Sequence, residues 1–138
     1  IDRTEHVALV KGRIEPDQPT LVRVHRVDMA HDMLGHVDAR RDYVPRFLKM
    51  IARHDGPGVA VFIRDPNPSW LSERYGGVME THAVHTNALR DYGVGAQILG
   101  DLGVREMILL ASAPTRLAAS AGYGLKIVGH MPIAQDLE

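Results

Sequence analysis

The sequence predicts a single α/β domain, a mixed sheet with flanking helices, and three observations carry that prediction. Short valine- and leucine-rich runs alternate with segments whose apolar residues fall at helical spacing. The run Val59 to Ile63 is apolar without interruption and bounded by glycine and proline, as in a strand covered on both faces. Finally, 138 residues with 45% apolar and 24% charged positions suffice for one core, and neither an internal repeat nor a low-complexity linker divides residues 1–138.

The elements follow in order. His6 to Val10 and Thr20 to Val27 read as two strands, and the turn-prone Glu15-Pro16-Asp17-Gln18-Pro19 between them suggests a hairpin. From Tyr43, the residues Val44, Phe47, Leu48 and Ile51 form the apolar stripe of a helix that stops at His54-Asp55-Gly56-Pro57-Gly58. The Val59 to Ile63 strand is broken by Asp65-Pro66-Asn67-Pro68-Ser69. A second helix is expected over about Tyr92 to Leu102, with Ala96, Ile98, Leu99 and Leu102 buried and Gly103 as its stop. Met107 to Leu110 reads as a strand, a third short helix can begin near Pro114, and Leu125 to Val128 is the closing strand.

Composition excludes several functions. With no cysteine, disulfides and thiolate metal sites are impossible, so any metal must be held by His, Asp or Glu. A net charge of -1, with Lys and Arg dispersed, gives no footprint for a polynucleotide. No apolar run approaches the roughly 18 residues of a membrane span and no signal-peptide pattern opens the chain, which predicts a cytoplasmic protein. The start at Ile1, without an initiator methionine, reads as part of a longer polypeptide.

Three blocks carry a family resemblance: Glu5-His6-Val7-Ala8-Leu9-Val10-Lys11-Gly12, Leu21-Val22-Arg23-Val24-His25, and the stretch from Arg90-Asp91-Tyr92-Gly93-Val94-Gly95 to Leu102-Gly103-Val104. With the closing Gly122-Tyr123-Gly124-Leu125-Lys126-Ile127-Val128 and Pro132, they resemble GTP cyclohydrolase II, particularly the version fused behind dihydroxybutanone phosphate synthase in bifunctional riboflavin proteins. The similarity runs through nearly the whole chain in the family's order. It implies a zinc site built from three cysteines, in which the metal activates the water that attacks the guanine ring. Aligned without a gap, those positions are Asp28, Ala39 and Arg41. Neither a methyl group nor a guanidinium can replace a thiolate, so the expected cofactor set is none.

The nucleotide-handling motifs implied by the resemblance have changed as well. Where the family carries His-Arg-Gln-Glu-Gly-Arg, this chain reads Ile63-Arg64-Asp65-Pro66-Asn67-Pro68, and two prolines remove backbone donors. The family's Asp-x-Arg, whose arginine is assigned to attack the α-phosphate, is Ala88-Leu89-Arg90 here, so Arg90 stands as a relic of the nucleophile. The triphosphate loop Thr-Asn-Asn-Pro-Lys-Lys has become Ala111-Ser112-Ala113-Pro114-Thr115-Arg116. The stretch from Trp70 to Leu89 is shorter than the family's, which carries a helix with a catalytic tyrosine, and Tyr75 falls in it without an assigned counterpart. The resemblance therefore predicts no catalytic residue and a structural, oligomerisation or regulatory role, as a homodimer, for an N-terminally fused dihydroxybutanone phosphate synthase domain.

Other residues keep alternatives open. Arg23, Arg64 and Arg90 could jointly hold a phosphate, which would suit a zinc-independent nucleotide- or phosphate-binding enzyme or sensor. A metal-dependent hydrolase could draw on His25, Asp28, His31, Asp32 and His36, but His31 and His36 are five apart and do not share a helical face. Solvated or hydrogen-bonded histidines are the expected reading there, and likewise at His82 and His85. Trp70, after the double proline, is read as a core or interface plug rather than a stacking platform.

Overall fold

A computed structural model describes residues 3–76, 93–111 and 124–134. The strands are β1 (Val7–Lys11), β2 (Thr20–Arg26), β3 (Gly58–Ile63), β4 (Glu106–Leu110) and β5 (Lys126–Met131). The helices are α1 (Met29–Asp32), α2 (Tyr43–Arg53), α3 (Trp70–Tyr75) and the helical residues 93–101, here α4. One five-stranded sheet forms in the order β1-β3-β2-β4-β5. Pairing is parallel throughout except between β1 and β3, so the mixed α/β sheet expected from the sequence is what forms.

The expected hairpin does not. β3 lies between β1 and β2, pairing Leu9 with Ala60 on one edge and Arg23 with Ala60 on the other. The reason is burial. Val59, Ala60, Val61 and Ile63 are at most 2% exposed, so β3 is the strand whose backbone and side chains gain most from two neighbours. β1, with Val7, Leu9 and Val10 about half exposed, is suited to an edge.

Alternation along the strands divides the core between the two faces of the sheet. Val22, Val59, Val61, Ile63, Met107 and Leu109 pack with Ala96 and Leu99 of α4. Leu21, Ala60 and Leu110 pack on the other face with Phe47 and Ile51 of α2. The apolar stripe from Tyr43 is thus a core face, and the helix ends at His54, whose extended backbone accords with the Gly-Pro-Gly stop that follows. Lys11 closes this corner by donating its Nζ to the carbonyls of His54 and Gly56. The helix expected near Pro114 falls outside the described residues. The short helices α1 and α3 have no counterpart among the elements expected from sequence, and both stand at the C-terminal end of β2, where the site is found.

Candidate functional site at the C-terminal end of the second strand

β2 leaves the sheet at Arg26, and Val27 N donates to Ile63 O at 2.8 Å. The chain then turns at once into α1, because Asp28 has extended backbone and caps the helix: its Oδ1 accepts from Ala30 N at 3.0 Å and His31 N at 3.3 Å. Its Oδ2 accepts from the Tyr75 hydroxyl at 2.6 Å and lies 3.2 Å from Arg74 Nη2, both on α3. His31 Nδ1 is 2.8 Å from the Tyr75 oxygen and 3.1 Å from Asp28 Oδ2. With the single phenol proton given to the carboxylate, the Nδ1–H tautomer of His31 is the one that can donate to this pair of oxygens.

Electrostatics follow from this geometry. Burial by itself would raise the Asp28 pKa, but the bonds from Tyr75 and the His31 amide, with the charges of Arg74 and His31, outweigh it and hold the carboxyl below its ordinary value. Tyr75 is pushed up to about 12, first by burial and then by its bond to Asp28, with Arg74 opposing. It is therefore a hydrogen-bond donor at neutral pH and no base.

His25 forms a separate unit. Its Nε2 donates to Asp32 Oδ2 at 2.9 Å, and the same oxygen accepts from Asp28 N at 3.0 Å. The ring lies among Phe47, Tyr43 and Phe62, with centroids 5.3, 5.9 and 5.9 Å away. Nδ1 is buried with no hydrogen-bond partner among the described residues. Burial, reinforced by Arg23, lowers the His25 pKa against the opposing bond and charge of Asp32, which keeps the ring neutral at physiological pH.

Among the described residues, the arginines singled out from the sequence, Arg23 and Arg64, lie apart. Arg23 lays its guanidinium over the rings of Tyr43 and Phe47, 5.3 and 5.5 Å from their centroids, with Nη1 3.5 Å from Leu110 O. Arg64 is exposed beyond β3, its amide donating to His6 Nδ1. Since the register places Arg23 beside Ala60, four residues before Arg64, the two levels are about 13 Å apart along the strand. Arg90, Ala88, His82 and His85 lie outside the described residues, as do Asp91 and Pro114. Trp70 is half-buried at the start of α3.

Of the three positions aligned with zinc ligands, Asp28 is saturated by protein donors as described. Ala39 offers no donor atom, and Arg41 is 90% exposed with Nε 3.7 Å from Asp42. Ala39 and Arg41 line an open hollow of about 400 Å³ shared with His31, His36, Arg40 and Tyr43. His31 and His36 stack there at 4.4 Å and 19°, because the chain leaves α1 after Asp32 and folds back on it. His36 Nδ1 accepts from Asp38 N at 3.1 Å. No group of three or more metal-ligating side chains converges among the described residues. This donor set does not fit a zinc ion, which needs three or four ligands on one tetrahedron.

Sequence reasoning misses Arg74 and Tyr75 as partners of Asp28, which lie more than forty positions away, and the Arg26–Asp65 ion pair at 2.8 Å that ties β2 to the proline loop. The signal available is the Asp28 cap, an Asp directly before Met29-Ala30-His31.

Fold and site together define a mixed α/β domain whose polar cluster sits at the C-terminal end of a central parallel strand, where ligand sites of open α/β sheets fall. The family model for GTP cyclohydrolase II matches residues 1–132, and the chain belongs to that family. It is 33% identical over 144 residues to the monofunctional riboflavin biosynthesis protein RIBA 2, chloroplastic, of Arabidopsis thaliana, covering 96% of this chain and 29% of that protein. It is also similar to the riboflavin biosynthesis protein RibBA of Bacillus cytotoxicus, 34% identical over 148 residues, and to RibBA of a Synechocystis species, 36% over 151. These alignments cover 96% of this chain but 36% and 26% of the two relatives, so the chain spans about a third of the length of the curated relatives it matches. Among the described residues, no helix is long and apolar enough to cross a membrane.

Proposed function

We propose that this is a GTP cyclohydrolase II-like domain of a cytoplasmic riboflavin-biosynthesis protein that has given up zinc binding and ring opening. Its role is structural, self-associating or regulatory, as a homodimer, beside a dihydroxybutanone phosphate synthase domain on the same polypeptide. The observation that carries this reading is the state of Asp28. It is the one oxygen donor among the three ligand positions, and its oxygens are taken by two amides, a phenol and a guanidinium. Ala39 and Arg41 add no ligand. The separation of Arg23 from Arg64 weighs against a shared phosphate clamp and so against the nucleotide-sensor alternative.

The test is elemental analysis together with a formate-release assay on GTP, with and without added zinc. The expected result is substoichiometric zinc and no formate. About one tightly held zinc per chain, or formate release that disappears in Arg90→Ala, would overturn the proposal.

A further inference from the structure

Neither α1 nor α3 contributes a buried side chain to the core. With four and six residues, both are far shorter than the roughly 12 residues at which an isolated helix becomes even marginal in water. Apolar packing and intrinsic propensity therefore do little to fix them, and what joins them is polar. The Asp28 side chain is only 8% exposed, and a buried carboxylate is tolerable only when its lone pairs are filled and its charge is balanced. Arg74 supplies the balancing charge from α3, Tyr75 a short bond from the same helix, and the amides of Ala30 and His31 fill Oδ1 from α1. His31 Nδ1 completes a triangle with the phenol oxygen and Asp28 Oδ2, 2.8 and 3.1 Å away.

We propose that Asp28, His31, Arg74 and Tyr75 form a metal-free clasp that fastens α3 to the turn after β2, the carboxylate serving as the cross-linking centre. The clasp stands at the position the resemblance gives to a zinc ligand, and it has no need of a metal. It also fixes one wall of the neighbouring hollow, since Tyr75 packs on the His31–His36 stack with its ring 5.2 Å from that of His36. Tyr75 and Arg74 are thus positioning residues for α3 and, through the stacked imidazoles, for the hollow. The inference concerns how the fold is held and does not depend on whether the domain turns over GTP.

Amide hydrogen exchange on the whole chain tests it. The reporters are the Glu73 and Gly76 amides, which donate to Ser69 O and Ser72 O in α3, with His54 N of α2 as internal reference. Tyr75→Phe removes the phenol bond while leaving the ring. It should accelerate exchange at Glu73 and Gly76 by about fivefold, the equivalent of one net hydrogen bond, and leave His54 unchanged. In an Asp28→Ala background, or in Asp28→Ser, which keeps a helix-capping oxygen without the second carboxylate oxygen, should the alanine variant fail to fold, the further effect of Tyr75→Phe should fall below twofold. Chelator treatment of the unmutated chain should leave α3 exchange unaltered. The clasp is refuted if Tyr75→Phe shifts α3 exchange less than twofold, if its effect is equally large without the Asp28 carboxylate, or if the chelator alone loosens α3.

Discussion

Gly58 opens β3 where α2 crosses the sheet, and a methyl group there would meet the core directly. A Cβ built on it lies 2.5 Å from Ile51 Cγ2 and 3.6 Å from Ile51 Cβ. Carbon atoms in contact prefer about 3.5–4.0 Å, so one of the two must move by roughly an ångström. Ile51 has little freedom to do so. It is 5% exposed, packed in the cluster of Leu21, Phe47, Ala60 and Leu110, and as a β-branched helix residue it is stiff at χ1. Overpacking of this kind costs about 1–3 kcal/mol, and the smaller unfolded-state entropy of alanine returns about 0.4–1 kcal/mol. Gly58→Ala should therefore destabilise by about 1–2 kcal/mol, or roughly 3–7 °C in melting temperature for a chain of this size. Urea unfolding at pH 8 measures it. The control is Ile51→Leu, which removes the branching Cγ2 at similar volume and costs less than about 1.5 kcal/mol alone. In that background Gly58→Ala should lose most of its effect. A Gly58→Ala chain within about 0.5 kcal/mol of the parent, or an unchanged penalty in the Ile51→Leu background, would show that the close packing of α2 on β3 is misjudged.

The remaining predictions use other observations. Because the folded-state pKa of His25 lies below 6.5, the folded chain binds fewer protons than the unfolded one as acid is added. Stability should therefore be level above about pH 7 and fall as pH drops from 6.5 towards the folded pKa. His25→Gln should remove that component of the slope in urea midpoints, and a variant with the parent's full slope would disprove the assignment. At Gly95, a Cβ would sit 3.0 Å from Val24 Cγ1 and 3.3 Å from Cγ2, against a helix-propensity gain of about 1 kcal/mol. Gly95→Ala should be more favourable in a Val24→Ala background than in the parent, and equal effects in both would refute the contact.

Legibility in the sequence follows the length and continuity of apolar pattern. α2 is readable to within a residue because its stripe and its Gly-Pro-Gly stop agree. β3 is readable because four of its residues face a packed core on one side or the other. The β1–β2 hairpin is a false signal, because a turn-prone segment between two strands is compatible with their pairing but does not require it. The partner of an edge strand is chosen by which neighbour needs covering, which is a property of the whole sheet. α1 and α3 carry too few residues for any period to register. The Asp28 cluster unites residues 28, 31, 74 and 75, a juxtaposition that no spacing rule encodes.

The substitution at position 28 would not by itself decide the metal question, because aspartate is an acceptable zinc ligand. What weighs against a metal is the cost of recruiting it. Hydrogen bonds to a charged group contribute about 1.5–3 kcal/mol each, so freeing Oδ2 from Tyr75 and Arg74 would forfeit on the order of 3–6 kcal/mol. It would also leave the Arg74 guanidinium, 26% exposed, beside an incoming dication. Structural zinc sites return about 10–16 kcal/mol, but they do so with four ligands acting together. One carboxylate, with Ala39 and Arg41 at the companion positions, offers a small fraction of that sum. On the proposal made above, the hydrogen-bonded clasp at Asp28 should persist in excess zinc, and α3 amide exchange that changes when zinc is added would refute it.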